Sequence, residues 1–206
     1  MFMVGLSLPR TSKAPYSKAI KLFEQVSAHA AEAYMGGHPT SGLSSWAFGW
    51  PRDGGPTDFA EAVDELCRRL GEGTRHRSSA AEPRDKDGRL DVVAWRQFPD
   101  RRRSKLILVG QCTTSIHDSQ FQKFSALSPG HSWFRRYVED PPQACPVPAG
   151  FWTRMYDESG TDELECDGIL LFDRVRIATL AATLPRSLAD DVRTQTGYLL
   201  DEVPRP

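Results

Sequence analysis

Two apolar runs around a short charged turn stand in the middle of the chain: GRLDVVAWRQF (88–98) and SKLILVGQCTT (104–114) flank PDRRR (99–103). Runs of this length, rich in β-branched and aromatic residues and broken by a turn, predict a β-hairpin. With the turn centred on Arg101, the numbers of opposed residues sum to 202. Val93, Trp95, Ile107 and Val109 then share one apolar face, and Asp91 lies opposite Gln111 on that same face, at its far end. Directly opposed residues in an antiparallel pair bring their Cβ atoms to roughly 4.5–5.5 Å.

The pattern before and after the hairpin predicts helices. Residues 16–34 carry Ile20, Phe23, Val26, Ala30 and Ala33 at helical spacing, and Gly36, Gly37 and Pro39 stop them. The stretch from there to Pro56, which holds Trp46, Phe48 and Trp50, reads as an irregular loop packed on the core. A second helix runs over 57–70 on Phe59, Val63, Leu66 and Leu70, with Thr57 or Asp58 as N-cap and Gly71 and Gly73 beyond its end. Downstream, helices are expected over 118–127 and around 132–138, over 174–184 up to Pro185, and over 187–203 behind a Ser187 N-cap. DPPQACPVPAG (140–150) admits at most a short edge strand, and DGILLFD (167–173) reads as a buried strand. The order is α, α, β, β, α, α, β, α, α. One α/β domain over residues 1–206 is the economical reading.

Composition narrows the function classes. Lys and Arg (26) nearly balance Asp and Glu (27), for a formal net charge of −1, which excludes a simple polycationic coat on nucleic acid but leaves room for a local basic patch. No run approaches the ~18 apolar residues of a membrane span, and MFMVGLSLPR is too short and too broken by Pro9 for a signal peptide. A soluble cytoplasmic protein is the expectation. Cys67, Cys112, Cys145 and Cys166 form no C-x-x-C pair, which argues against structural zinc and a disulfide framework. No nucleophile-elbow, phosphate-loop or dinucleotide motif occurs, and the five histidines show no ligand spacing.

The polar pair at the end of the hairpin face therefore holds the candidate chemistry. In one reading Asp91 and Gln111 hydrogen-bond each other and close the sheet edge. In the other, Asp91 is a carboxylate ligand on a rigid strand and Gln111 adds its carbonyl oxygen, a donor set suited to a hard cation. Spacing alone leaves both open.

KDGRLDVVAWRQF and KLILVGQC, with a lysine downstream, resemble the core of the PD-(D/E)xK, restriction-endonuclease-like superfamily, and most of all its Mrr-like branches, where Gln stands in the (D/E) position. Asp91 matches the first acid and Gln111 the second position, while KLFEQVSAHAAEAYMGG (21–37) resembles the N-terminal helix with Glu24 as its acid. The likeness covers roughly residues 16–180, with the 187–203 helix beyond it. The third motif position departs from the pattern: it holds Thr113, and Lys123 in the following helix is the candidate for a migrated lysine.

The resemblance implies a single restriction-endonuclease-like domain, a central mixed β-sheet flanked by helices. It also implies a Mg²⁺- or Mn²⁺-dependent endonuclease, with DNA favoured over RNA. Asp91, Glu24 and Gln111 would be the metal ligands, with Lys123 beside them. Arg75, Arg77 and Arg135, with Trp133 and Tyr137 nearby, are the candidate nucleic-acid contacts. The likeness further suggests the effector of a bacterial defence system with a separate sensor or regulatory protein, and leaves homo-oligomerisation open. The alternative is a catalytically degenerate nuclease-fold protein that binds nucleic acid or a partner without cleavage; Gln111 and Thr113 are the residues that favour it.

Overall fold

VVAW at 92–95 contains no polar position, so a strand made from it needs cover on both faces. The computed structural model, which describes residues 1–7, 14–36, 43–52, 54–80, 86–100, 102–114, 131–154 and 168–201, supplies that cover. Five strands, β1 (Leu43–Ala47), β2 (Val92–Arg96), β3 (Leu106–Thr113), β4 (Val147–Trp152) and β5 (Leu170–Phe172), lie side by side in chain order. β1, β2 and β3 are antiparallel, whereas β3, β4 and β5 are parallel, so the sheet is mixed. The helices among the described residues are α1 (Phe2–Leu6), α2 (Ala14–Tyr34), α3 (Phe59–Leu70), α4 (His131–Tyr137), α5 (Arg174–Leu180) and α6 (Arg186–Asp201). The α/β class and the mixed sheet flanked by helices follow the expectation.

Each face of the sheet has its own core. Leu22, Phe23, Val26 and Ala30 of α2 cover Val92, Ala94, Leu108 and Phe151, joined by Ile177 and Leu199 from α5 and α6. On the opposite face, Phe59, Val63, Leu66 and Leu70 of α3, with Trp133 and Tyr137 of α4, cover Val93, Trp95, Ile107 and Val109. The Asp58 side chain caps α3 by accepting from the Glu61 N–H (3.0 Å).

Three expectations need correction. The 37–56 segment is not wholly a loop, because its 43–47 part forms β1, with Trp46 on the α3 face and Ala47 on the α2 face. Two serines in five residues hid it, and Ser45 satisfies its hydroxyl by donating to Glu32 Oε2 (2.8 Å). The strand in the proline-rich 140–150 stretch is not at the edge: β4 lies between β3 and β5. Pro148 is tolerated because the ladder to β5 starts only at Ala149, so no strand on that side requires its missing N–H. Finally, α1 was not expected; Phe2, Met3 and Leu6 bury against the α2 face. The helix expected over 118–127 lies outside the described residues. Among those described, no helix is long and apolar enough to cross a membrane.

Candidate active site

The hairpin keeps the expected register as far as Val92, which pairs with Gly110, while Val93 pairs with Val109 and Trp95 with Ile107. One residue earlier the ladder breaks. The Asp91 N–H donates to Gly110 O (3.0 Å) rather than facing Gln111, so Asp91 and Val92 together stand against one residue of β3. Two residues opposite one is a β-bulge, which re-aims a side chain. On the other flank, the Asp91 carbonyl accepts from both Phe48 N (2.7 Å) and Gly49 N (3.1 Å). The backbone at Asp91 is thus held from both neighbouring strands' ends, and its carboxylate accepts the Cys112 N–H at 2.7 Å.

The bulge separates the two residues expected to share a face. Cys112 packs on the α2 side, so Gln111, its neighbour in an alternating strand, projects to the α3 side. Its Nε2 donates to Arg89 O at 2.6 Å. The Asp91 carboxylate instead has Glu24 and Lys21 of α2 as electrostatic neighbours. Both residues are placed by helix packing: Leu22, Phe23 and Val26 anchor α2 to the sheet, and Lys21 and Glu24 flank that stripe one turn apart. Glu24 is only 7% exposed, and its Oε2 meets Lys21 Nζ at 2.5 Å. Lys21 Nζ also donates to the Gly49 carbonyl. A Cβ on Gly49 would stand 2.6 Å from Glu24 Oε2, so the bare glycine is what lets the Glu24 side chain lie where it does.

The charges are held against their solvation preference. Burial above all, and then the Glu24 charge, push Asp91 up to about 8, against the opposing pull of the Cys112 N–H. Burial likewise raises Glu24; Lys21 pulls it down, and Asp87 adds to the rise. Three acids, Glu24, Asp87 and Asp91, therefore act on one another around a single half-buried lysine.

Asp87 belongs to a turn that closes over this end of the sheet. Its Oδ1 accepts the Arg89 N–H (2.8 Å), and its Oδ2 accepts Trp50 N (3.5 Å). Lys86 (φ 58) and Arg89 (φ 66) both adopt the left-handed conformation that ordinary residues avoid. Arg52, 6% exposed and stacked 4.5 Å over the Phe48 ring, holds the Lys86 carbonyl, while Gln111 holds the Arg89 carbonyl. Gly88 sits on Trp133 and Tyr137 of α4, where a Cβ would come within 2.8 Å of the indole nitrogen.

The remaining expected residues fall as follows. Lys123 lies outside the described residues. Arg75 pairs with Glu139 (2.8 Å), Arg77 Nη2 donates to Val138 O (3.0 Å), and Arg135 is exposed on α4. Thr113 is buried. Lys105, also buried, is bound at the other end of β3 by Leu70 O and Gln97 Oε1, with Glu72 Oε1 taking its N–H. Among the acids of α3, Asp64 accepts from His76 N and Glu65 from Arg68 and Arg69. Lys21 is the residue that sequence reasoning missed, although its place three residues before Glu24 on one helix was a usable signal.

Carboxylate oxygens from buried Glu24 and partly buried Asp91, with one partly committed lysine, are hard donors of the kind Mg²⁺ or Mn²⁺ takes, and a divalent cation would offset like charges that burial penalises. Among the described residues, no group of three or more His, Cys, Asp or Glu side chains stands ready to hold a metal. Mg²⁺ is commonly bound through one or two carboxylates, with waters and a substrate phosphate completing the shell, so the fit rests on Asp91 with Glu24.

No family model matches the chain, and no curated protein matches it. Among solved structures, the MspJI restriction endonuclease in complex with a 27-mer oligonucleotide is similar, at 13% identity and a TM-score of 0.43. The alignment covers 88% of this chain and 32% of that one, so the chain spans about a third of that protein's length.

Proposed function

We propose that the protein is a metal-dependent phosphodiester hydrolase acting on nucleic acid, DNA in the first instance. The observation that supports this reading is the set Asp91, Glu24 and Lys21 gathered at the bulge, two acids and a lysine at the end of a rigid strand, with both acids raised by burial, the kind of displacement that candidate functional sites show. Asp91 and Glu24 would hold Mg²⁺ or Mn²⁺, which when bound supplies a more acidic water and charge relief at the phosphate. Lys21, within reach of Glu24 and Gly49, would offset developing negative charge on the phosphate. It thereby fills the part expected of Lys123. Gln111 would serve from the other face by fixing the 86–89 turn through Arg89. The resemblance of the motif adds the role of a defence effector working with a separate sensor.

A second reading has one observation in its favour. Thr113, where the motif resemblance calls for lysine, is buried, which suits a nuclease fold that binds without cutting. Incubating purified protein with plasmid, single-stranded DNA and RNA, each with Mg²⁺, Mn²⁺ or EDTA, separates the two. Metal-dependent cleavage that disappears in Asp91→Asn and in Glu24→Gln supports hydrolysis. Binding without cleavage in every metal overturns it.

A further inference from the structure

Four of the five tryptophans are buried: Trp46, Trp95, Trp133 and Trp152 are 3–5% exposed. The fifth, Trp50, is 42% exposed, and it stands at the candidate active site. Its chain neighbour Gly49 receives the Lys21 ammonium on its carbonyl and gives its N–H to Asp91 O. Trp50's own N–H is aimed at Asp87 Oδ2. The Lys86 ammonium lies 4.4 Å from the centroid of the indole ring, and Arg89 is exposed on the same turn. That turn is strained at two non-glycine positions and pinned by Arg52, Asp87 and Gln111. Strain maintained by several independent anchors next to a reactive site indicates a surface that must keep its shape.

We propose that Trp50 is a stacking platform for an unpaired nucleobase next to the scissile phosphate, with Lys86 and Arg89 contacting the flanking phosphates, so that the substrate is single-stranded or locally unpaired nucleic acid. The inference rests on the hydrolase reading for the position of the scissile phosphate. In a continuous duplex the base faces are occupied by neighbouring bases, and a flat indole beside the reacting phosphate has nothing to stack on. In a single strand every base offers a π-face, and aromatic stacking next to a cationic track is the common way to grip it. Lys86 covers the ring in the free protein through an exposed cation–π contact, a weaker interaction than base stacking. An incoming base displaces it, and the released ammonium is then beside the backbone phosphate.

The test is binding in EDTA at low salt, where no cleavage is required. Fluorescence anisotropy of a labelled oligothymidine and of a hairpin duplex of equal length is measured for the intact chain, Trp50→Ala, Trp50→Phe and Lys86→Ala. The expected result is preference for the single strand, quenching of tryptophan emission on binding, and a roughly 5- to 100-fold loss of single-strand affinity in Trp50→Ala. Trp50→Phe should recover most of that loss, and duplex binding should change less than twofold in either variant. Equal losses for both ligands, no loss for either, or no single-strand binding by the intact chain would overturn the proposal. If Trp50-dependent binding is found but no metal supports cleavage, the hydrolase reading fails and the stacking site stands. Metal-dependent cleavage with Trp50-independent binding does the reverse: hydrolysis stands and the stacking site is overturned.

Discussion

The Asp91 carboxylate accepts the Cys112 N–H at 2.7 Å, the place on the ladder where an unbroken register would have put the Leu90 carbonyl. A side-chain oxygen thus continues the sheet's hydrogen bonding at the point where the backbone leaves it. The same carboxylate is next to Glu24 and away from free solvent, and this conflict makes the site testable.

The first prediction concerns pH. Asp91 titrates near 8 in the fold, against its ordinary 3.8 in an unfolded chain, with burial the main cause and Glu24 the next. Between those values the folded state keeps a proton that the unfolded state has released, so stability falls as pH rises through this window and levels off above it. Asp91→Asn keeps an oxygen for Cys112 and removes the charge. In EDTA its melting temperature should exceed that of the parent by a margin that widens from pH 5 to pH 8. About 1 kcal/mol of relief is worth roughly 2–4 °C in a chain of this size. Parallel melting curves for the two proteins across the range would refute the assignment.

A second prediction uses the close approach at Gly49. Gly49→Ala puts a methyl group 2.6 Å from the present position of Glu24 Oε2, closer than the two can stand. The expected outcome is a folded protein in which Glu24 is displaced, with cleavage down about 100-fold, since misplacement of a catalytic group by an ångström can cost that much. Single-turnover rates should lie between those of the intact chain and those of Glu24→Gln. Parental rates would remove Glu24 from the site.

Lys21→Met retains the apolar stem and deletes the ammonium. Cleavage should fall by roughly 10²–10³-fold, the usual effect of losing one electrostatic contact to the transition state. Lys21→Arg should recover part of the rate at unchanged substrate affinity. A merely structural lysine would show its loss in the melting temperature alone.

Lys105 provides the control. It is 1% exposed and serves Leu70 O and Gln97 Oε1 at the end of β3 remote from Asp91. Lys105→Met leaves those acceptors without their donor, and should lower stability by about 1–3 kcal/mol in urea denaturation. Activity per folded molecule should stay at the parental level. A selective loss of cleavage would mean that the motif lysine has been looked for at the wrong end of the strand.

The hairpin register was readable in the sequence because the charged 99–103 turn marks its centre, and turn geometry fixes which residues oppose one another. The bulge was not, since it consists of a single backbone N–H choosing Gly110 O, and Asp91 is an equally acceptable residue with or without it. That one bond accounts for most of the difference between the expected pairing of Asp91 with Gln111 and the observed company of Glu24 and Lys21. Glu24 became a candidate through its resemblance to a motif helix, but Lys21, with no motif of its own, comes into view only when α2 docks. β1 and Trp50 stayed hidden for a related reason: in a segment rich in Gly, Ser and Pro, aromatic residues look alike whether they are buried, as Trp46 is, or exposed, as Trp50 is.

β2 is the element on which the acid is mounted, and Val92, Val93, Ala94 and Trp95 are each no more than 3% exposed, between two strands and two layers of helices. Amides in such a position exchange with solvent only when the whole molecule opens. The acid's position is therefore tied to global stability. The 86–89 turn is anchored to the same packed unit through Arg52 and Gln111, so nucleic-acid binding and the proposed cleavage should persist together in gentle denaturant and be lost together when the chain unfolds.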